Sequence, residues 1–259
     1  FNRNLFFLIF FAHSFKNFRK RFLNLSHFRR KVSVIEFDAD FIKFNLNFFI
    51  IHFAAYSGWI GVFLGFSTEA LPAGSTLSID DWDIQLASPQ NGQPYAIAGR
   101  GDVDGDLLDD LLVGDAFTED GRGYVVPGAA LTNLTQYALE TTATVRTRGT
   151  GSSANTSTRA GHQVRWLGDQ DGDGRSEALV VSINSALGGA GSGAVGLFHS
   201  STSLVGDPSL TEADATFVAG EGGQLGYAMD VGDLNDDGLD DIVMRSRGPE
   251  RGIHVFLGR

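Results

Sequence analysis

Gly226-Tyr-Ala-Met-Asp-Val-Gly-Asp-Leu-Asn-Asp-Asp-Gly-Leu-Asp-Asp-Ile-Val-Met244 is the stretch that decides the fold. Its centre places oxygen-bearing side chains at loop positions 1, 3, 5 and 9: Asp233, Asn235, Asp237 and Asp241. Gly232 precedes the loop, and the apolar run Ile242-Val-Met244 comes directly after it. Alternate oxygens on a tightly turned backbone converge on one point. Ca²⁺ is a hard cation that takes roughly six to eight oxygens in flexible geometry, so the pattern is calcium chemistry. The Leu239 carbonyl, at position 7, completes the expected ligand set.

The pattern occurs twice more upstream. One loop holds Asp102, Asp104, Asp106 and Asp110 with the Leu108 carbonyl, and the other holds Asp169, Asp171, Asp173 and Glu177 with the Arg175 carbonyl. The loops start 67 and then 64 residues apart, each after a Gly and each before an apolar run. A fixed period of this size marks a repeated supersecondary unit. Gly-led segments recur in register, at Gly123-Tyr-Val-Val126, Gly193-Ala-Val-Gly-Leu-Phe198 and Gly252-Ile-His-Val-Phe-Leu257. The unit reads strand, acidic loop, buried strand, Gly-rich turn, strand, then a variable connection, which predicts an all-β repeat array. An EF-hand needs a bidentate Glu at position 12 and flanking helices, whereas position 12 here is Val113, Val180 or Met244. The remaining alternative is an acidic turn without an ion. Turns, however, do not need oxygens at the same four offsets three times over.

The unit resembles the FG-GAP repeat of integrin α-subunit propellers and their bacterial relatives. The Gly226-Tyr-Ala-Met opening, the Gly232–Asp241 loop and the Gly252-Ile-His-Val-Phe strand carry the likeness. It covers roughly residues 77–259, with blades at about 77–135, 143–205 and 213–259. The resemblance implies a partial β-propeller of about three four-stranded blades, with Ca²⁺ in the loop between the first two strands of each. Departures are visible. Leu107 stands at position 6 of loop 1, where the family prefers Gly, and Glu177 stands at position 9 of loop 2. The first unit has no clear opening beyond Tyr95-Ala-Ile-Ala98. Loop 3 is therefore expected to bind most tightly and loop 1 least.

Composition divides the chain. From residue 67 onward, 28 Asp and Glu face 11 Arg and no Lys, a formal charge of −17. Such density repels itself unless cations are bound. It also excludes a nucleic-acid partner, which needs a basic footprint. With no cysteine, neither disulfides nor thiolate metal sites are available. Residues 1–47 form a Phe-rich basic segment, set apart enough to suggest sequence that is not natively translated. Within residues 48–75, the apolar span Phe48–Phe66 lacks Asp, Glu, Lys and Arg and lies after Arg29-Arg-Lys31 and Lys43. That predicts a spanning helix and membrane anchor, or the core of a signal peptide. Either version exports the repeat region, giving an extracytoplasmic setting.

Other motifs weigh less. In Arg100-Gly101-Asp102 the carboxylate belongs to a calcium loop and should be turned inward. Gly191-Ser-Gly-Ala-Val-Gly196 fits a dinucleotide fingerprint but precedes a strand, so no helix N-terminus faces a pyrophosphate. Asn133 and Asn155 head glycosylation sequons. His162, His199 and His254 are scattered, with no paired zinc spacing. Trp82 and Trp166 are expected to pack between blades. No nucleophile elbow is present, so no catalytic residue is assigned. The reading is a non-catalytic, exported, calcium-binding module for adhesion or for an unidentified protein or carbohydrate ligand. Its variable connections 136–160 and 183–193 would make the contact, and further blades of the same native chain would complete it. The alternatives are an accessory region of a secreted hydrolase and a cell-surface spacer.

Overall fold

The computed structural model describes residues 48–52, 59–64, 83–88, 92–118, 120–131, 136–150, 157–249 and 251–258. Strands β1 (Phe48–His52), β2 (Trp59–Leu64) and β3 (Ile84–Ala87) open the described chain. Next come β4 (Pro94–Gly101), β5 (Asp110–Asp115), β6 (Arg122–Val126) and β7 (Gln136–Ala138). A one-turn helix, α1 (Leu139–Thr142), then leads into β8 (Val145–Arg148). The last strands are β9 (Ala160–Leu167), β10 (Glu177–Ser182), β11 (Ala194–Phe198), β12 (Ala215–Val218), β13 (Ala228–Gly232), β14 (Asp241–Ser246) and β15 (Gly252–Phe256).

These strands make four sheets among the described residues, and the all-β class holds. Two are antiparallel four-stranded sheets, β4-β5-β6-β8 and β9-β10-β11-β12. The third is β13-β14-β15. The fourth joins β1, β2 and β3 antiparallel and adds β7 parallel to β3. In each of the first three, the acidic loop joins the two leading strands.

The sheets stack through apolar cores. Leu111, Val113, Tyr124 and Val126 face Ile60, Val62, Ile84 and Leu86 of the neighbouring sheet. From the other faces of the same strands, Leu112 and Val125 meet Val164, Trp166, Ala178 and Val180. Leu179, Val181 and Val195 then meet Met229, Ile242 and Met244. Every residue of β5 and of β10 is buried, which is why both read as apolar runs rather than alternating strands. The leading strands lie side by side, β9 packing against β4 and β13, and β4 against β1.

Two glycines permit that approach. Gly161 has φ +82°, and a Cβ there would lie 2.1 Å from the Arg122 carbonyl oxygen. Gly226, at the same point of the next unit, has φ +83° and would meet Val181 at 2.5 Å. The corresponding residue of the first unit is Pro94, whose ring forbids that conformation.

Several expectations need correction. Of the span Phe48–Phe66, expected first as a spanning helix, β1 and β2 are described, and they pair antiparallel with each other rather than forming a helix. The β-branched Ile60 and Val62 suit a pleated surface. Ile60 and Val62 are fully buried against the next sheet, a cover the sequence did not reveal. No helix of the described residues is long and apolar enough to cross a membrane. The unit boundaries are also out of phase. Strand β8, expected in the second unit, is the outer strand of the first, and β12, expected in the third, is the outer strand of the second. Strand β3, expected in the first unit, pairs with β2 and β7. Trp166 packs between two sheets as expected, donating its Nε1–H to the Asp110 carbonyl oxygen at 3.2 Å. Trp82, Asn133, Asn155 and residues 1–47 lie outside the described residues.

Candidate metal centre

The three acidic loops share one hydrogen-bond skeleton. At position 1, Asp102 accepts from the Gly105 and Leu107 N–H groups at 2.7 and 2.9 Å. Asp169 accepts from Gly172 and Gly174 at 2.7 and 2.9 Å, and Asp233 from Asp237 and Gly238 at 3.1 and 2.9 Å. Position 3 accepts from the N–H of position 5 in every loop: Asp104 from Asp106, Asp171 from Asp173, and Asn235 from Asp237, each at 3.1 Å. Position 5 accepts from position 7: Asp106 from Leu108 at 2.8 Å, and Asp173 from Arg175 and Asp237 from Leu239 at 2.9 Å. These bonds turn the side chains inward before any ion is considered. Asp102 is among them, so the Arg-Gly-Asp tripeptide does not present a free carboxylate.

The turn needs a left-handed residue at positions 4 and 6. Gly105 and Gly172 supply the first, with Asp236 at φ +61° in loop 3. Gly174 and Gly238 supply the second, but in loop 1 Leu107 is held at φ +67°. A non-Gly residue there carries a steric penalty from its Cβ.

Position 9 does a second job. Asp110 accepts from Val103 and Gly128, both at 2.8 Å. Asp241 accepts from Leu234 and Gly258, again both at 2.8 Å. Each buried carboxylate thus clamps its loop to the end of the third strand. Glu177 keeps only half of that arrangement. Its Oε2 accepts from the Gln170 N–H at 2.7 Å, while Oε1 is buried without a partner. Burial pushes the Asp110 carboxyl up to about 6 and that of Glu177 up to about 7. Backbone N–H groups, Gly238 first, hold Asp233 below the usual carboxylate range. Carboxylates packed this closely favour a cation over separate charges.

Convergence differs between loops. Asp169, Asp171, Asp173 and Glu177 offer oxygens all within 4.8 Å of one another, and Asp102, Asp104 and Asp110 do likewise. Asp106 falls outside the loop 1 group. In loop 3 the Asn235 amide N–H donates to Asp237 at 2.8 Å, which spends one oxygen of that carboxylate. Loop 3, expected to bind most tightly for its acid spacing and its Gly at position 6, carries Asn235 at position 3, and the four-acid cluster is in loop 2. The clustered acids are a fitting seat for a metal ion.

His199, set aside in the sequence as one of three scattered histidines, joins the loop 2 cluster. It lies directly after β11, and its Nδ1 is 3.0 Å from Asp171 Oδ2. The next residue, Ser200, brings its hydroxyl within 3.5 Å of Asp173. The register could have found the pair: the matching positions are Pro127 with Gly128 and Leu257 with Gly258, so only loop 2 has side-chain donors there. The loops are also tied in a row. Ser176 N–H donates to the Asp102 carbonyl oxygen at 2.7 Å, and Gly168 N–H to Asp240 Oδ2 at 2.9 Å. No family model matches the chain, and no curated protein matches it either.

Proposed function

We propose that this chain is a non-catalytic, calcium-stabilised segment of a β-propeller built from FG-GAP-type repeats, acting outside the cytoplasm in adhesion or in binding a protein or carbohydrate. The observation that carries the reading is the common skeleton of the three loops, at the same place in three successive sheets, with carboxylates gathered within ligand distance in loops 1 and 2. Face-to-face stacking with leading strands side by side supports the propeller. So does the outer face of β13-β14-β15. Ile253 and Val255 stand there exposed, at the register positions where Val195 and Leu197 meet the neighbouring sheet. A further sheet of the same kind would cover them. Extracellular calcium modules work at roughly 10⁻⁴–10⁻³ M, which suits short single-loop sites and an extracytoplasmic setting.

The test is calorimetric titration of chelator-stripped protein with Ca²⁺. Saturable heat is expected, with a smaller stoichiometry in Asp237→Ala and in Asp104→Ala. Absence of heat, or isotherms identical to wild type in both variants, would sink the reading.

A further inference from the structure

We propose that loop 2 is a mixed nitrogen–oxygen site for a borderline first-row divalent ion such as Zn²⁺, with His199 as its nitrogen ligand beside Asp171 and Glu177. The proposal rests on the reading that these loops bind divalent ions, and it names the ion class for one of them. His199, Asp171 and Glu177 each offer one ligand atom within 4.8 Å of the others. Imidazole suits Zn²⁺ and its neighbours, whereas Ca²⁺ selects oxygen. Two ligands at the tetrahedral angle, each about 2.1 Å from one ion, stand about 3.4 Å apart. His199 Nδ1 and Asp171 Oδ2 stand 3.0 Å apart as a hydrogen-bonded pair, and parting by about 0.4 Å would bring them to that spacing.

A second observation points to the same place. Glu177 is 0% exposed, and its Oε1 has no partner. In loops 1 and 3 the corresponding oxygen is taken by the N–H of Gly128 or Gly258. A buried carboxylate oxygen left unpaired is unfavourable unless something occupies its lone pairs. The histidine is also held in place. Its backbone N–H donates to Asp214 Oδ2 at 2.8 Å, and its backbone carbonyl accepts from the Thr202, Ser203 and Leu204 N–H groups. Such anchoring fixes the backbone from which the ring projects.

The experiment uses the full chain, stripped of metal and then saturated with Ca²⁺. Co²⁺ serves as the visible probe for Zn²⁺. One equivalent of Co²⁺ is expected to bind despite the Ca²⁺, to give ligand-field bands, and to be displaced by Zn²⁺. His199→Gln should weaken Co²⁺ at least tenfold and change the bands, leaving the Ca²⁺ isotherm of the other loops unaltered. As a measurement that needs no variant to fold, one histidine ring of the wild-type protein should show a hyperfine-shifted proton signal with Co²⁺. Co²⁺ that is displaced by Ca²⁺, or that binds His199→Gln with unchanged affinity and bands, or that shifts no histidine signal, overturns the proposal. Loss of the general calcium reading would register separately, as absence of Ca²⁺ heat in the wild-type protein.

Discussion

Leu107 shows how a single residue can be at odds with a recurrent backbone. The loop skeleton demands a left-handed residue at position 6, and Leu107 meets that demand at φ +67° while 89% exposed, so its side chain gains almost no burial in return. Left-handed backbone at a non-Gly residue is unfavourable by about 1–2 kcal/mol, and Gly gives back part of that in unfolded-state entropy. Leu107→Gly is therefore expected to raise stability by about 1 kcal/mol, read as a higher denaturant midpoint at unchanged slope. No change, or a loss, would mean that the turn is not strained.

His162 makes the second residue-scale argument. Its ring is 8% exposed and lies between Tyr95 and Tyr227, with centroids 4.9 and 5.9 Å away, and its Nδ1 has no partner. Burial, with the Arg159 charge second, pushes the imidazole down to about 4 from 6.5. The unfolded chain then binds more protons than the folded one between those two values. Stability is fully present above about 6.5 and is lost as pH falls towards about 4. The loss is on the order of 3 kcal/mol at its full extent. His162→Phe keeps an aromatic ring and removes the titration, so thermal melts from pH 7 to pH 4.5 should fall less steeply than in wild type. Parallel curves would show that the ring is protonated as easily folded as unfolded.

At the scale of elements, β9 depends on Gly161. A methyl group there would sit 2.1 Å from the Arg122 carbonyl oxygen, on a backbone already at φ +82°. Gly161→Ala is expected to cost about 2 kcal/mol or more, since the left-handed penalty adds to a collision with backbone that cannot rotate away. An unchanged midpoint in chemical denaturation would refute the close approach. The sequence made this glycine visible through its recurrence with Gly226, and it made β5, β10 and β14 visible through their apolar runs. The outer strands β8 and β12 were not visible. Val-Arg-Thr-Arg148 and Ala-Thr-Phe-Val218 are four residues long and come after variable connections, so neither period nor punctuation marks them. The hairpin of β1 and β2 was hidden differently. An apolar span bearing no charge reads as a membrane helix unless its covering sheet is known, and that cover is supplied by residues far along the chain. His199 was hidden because a ligand contributed by a strand end 28 residues from Asp171 leaves no trace in the loop's own spacing.

The whole molecule is best seen from its uncovered end. Each sheet from β1-β2-β3-β7 onward buries one face against the next, until β13-β14-β15 leaves Ile253 and Val255 at 74% and 50% exposure. Strand β15 also has no strand paired beyond it among the described residues, whereas β6 and β11 are flanked by β8 and β12. An apolar face beside an open edge is a template for association. Sedimentation velocity of the full chain in Ca²⁺ should show the sedimentation coefficient rising with concentration. The double variant Ile253→Lys/Val255→Lys places two charges on that face and should sediment as a monomer throughout, with a melting temperature close to wild type because neither side chain is buried. Continued association by the variant would move the sticky surface elsewhere. A wild-type chain that stays monomeric at every concentration would mean that this face needs no covering sheet, and the stacking of like units would end at β15.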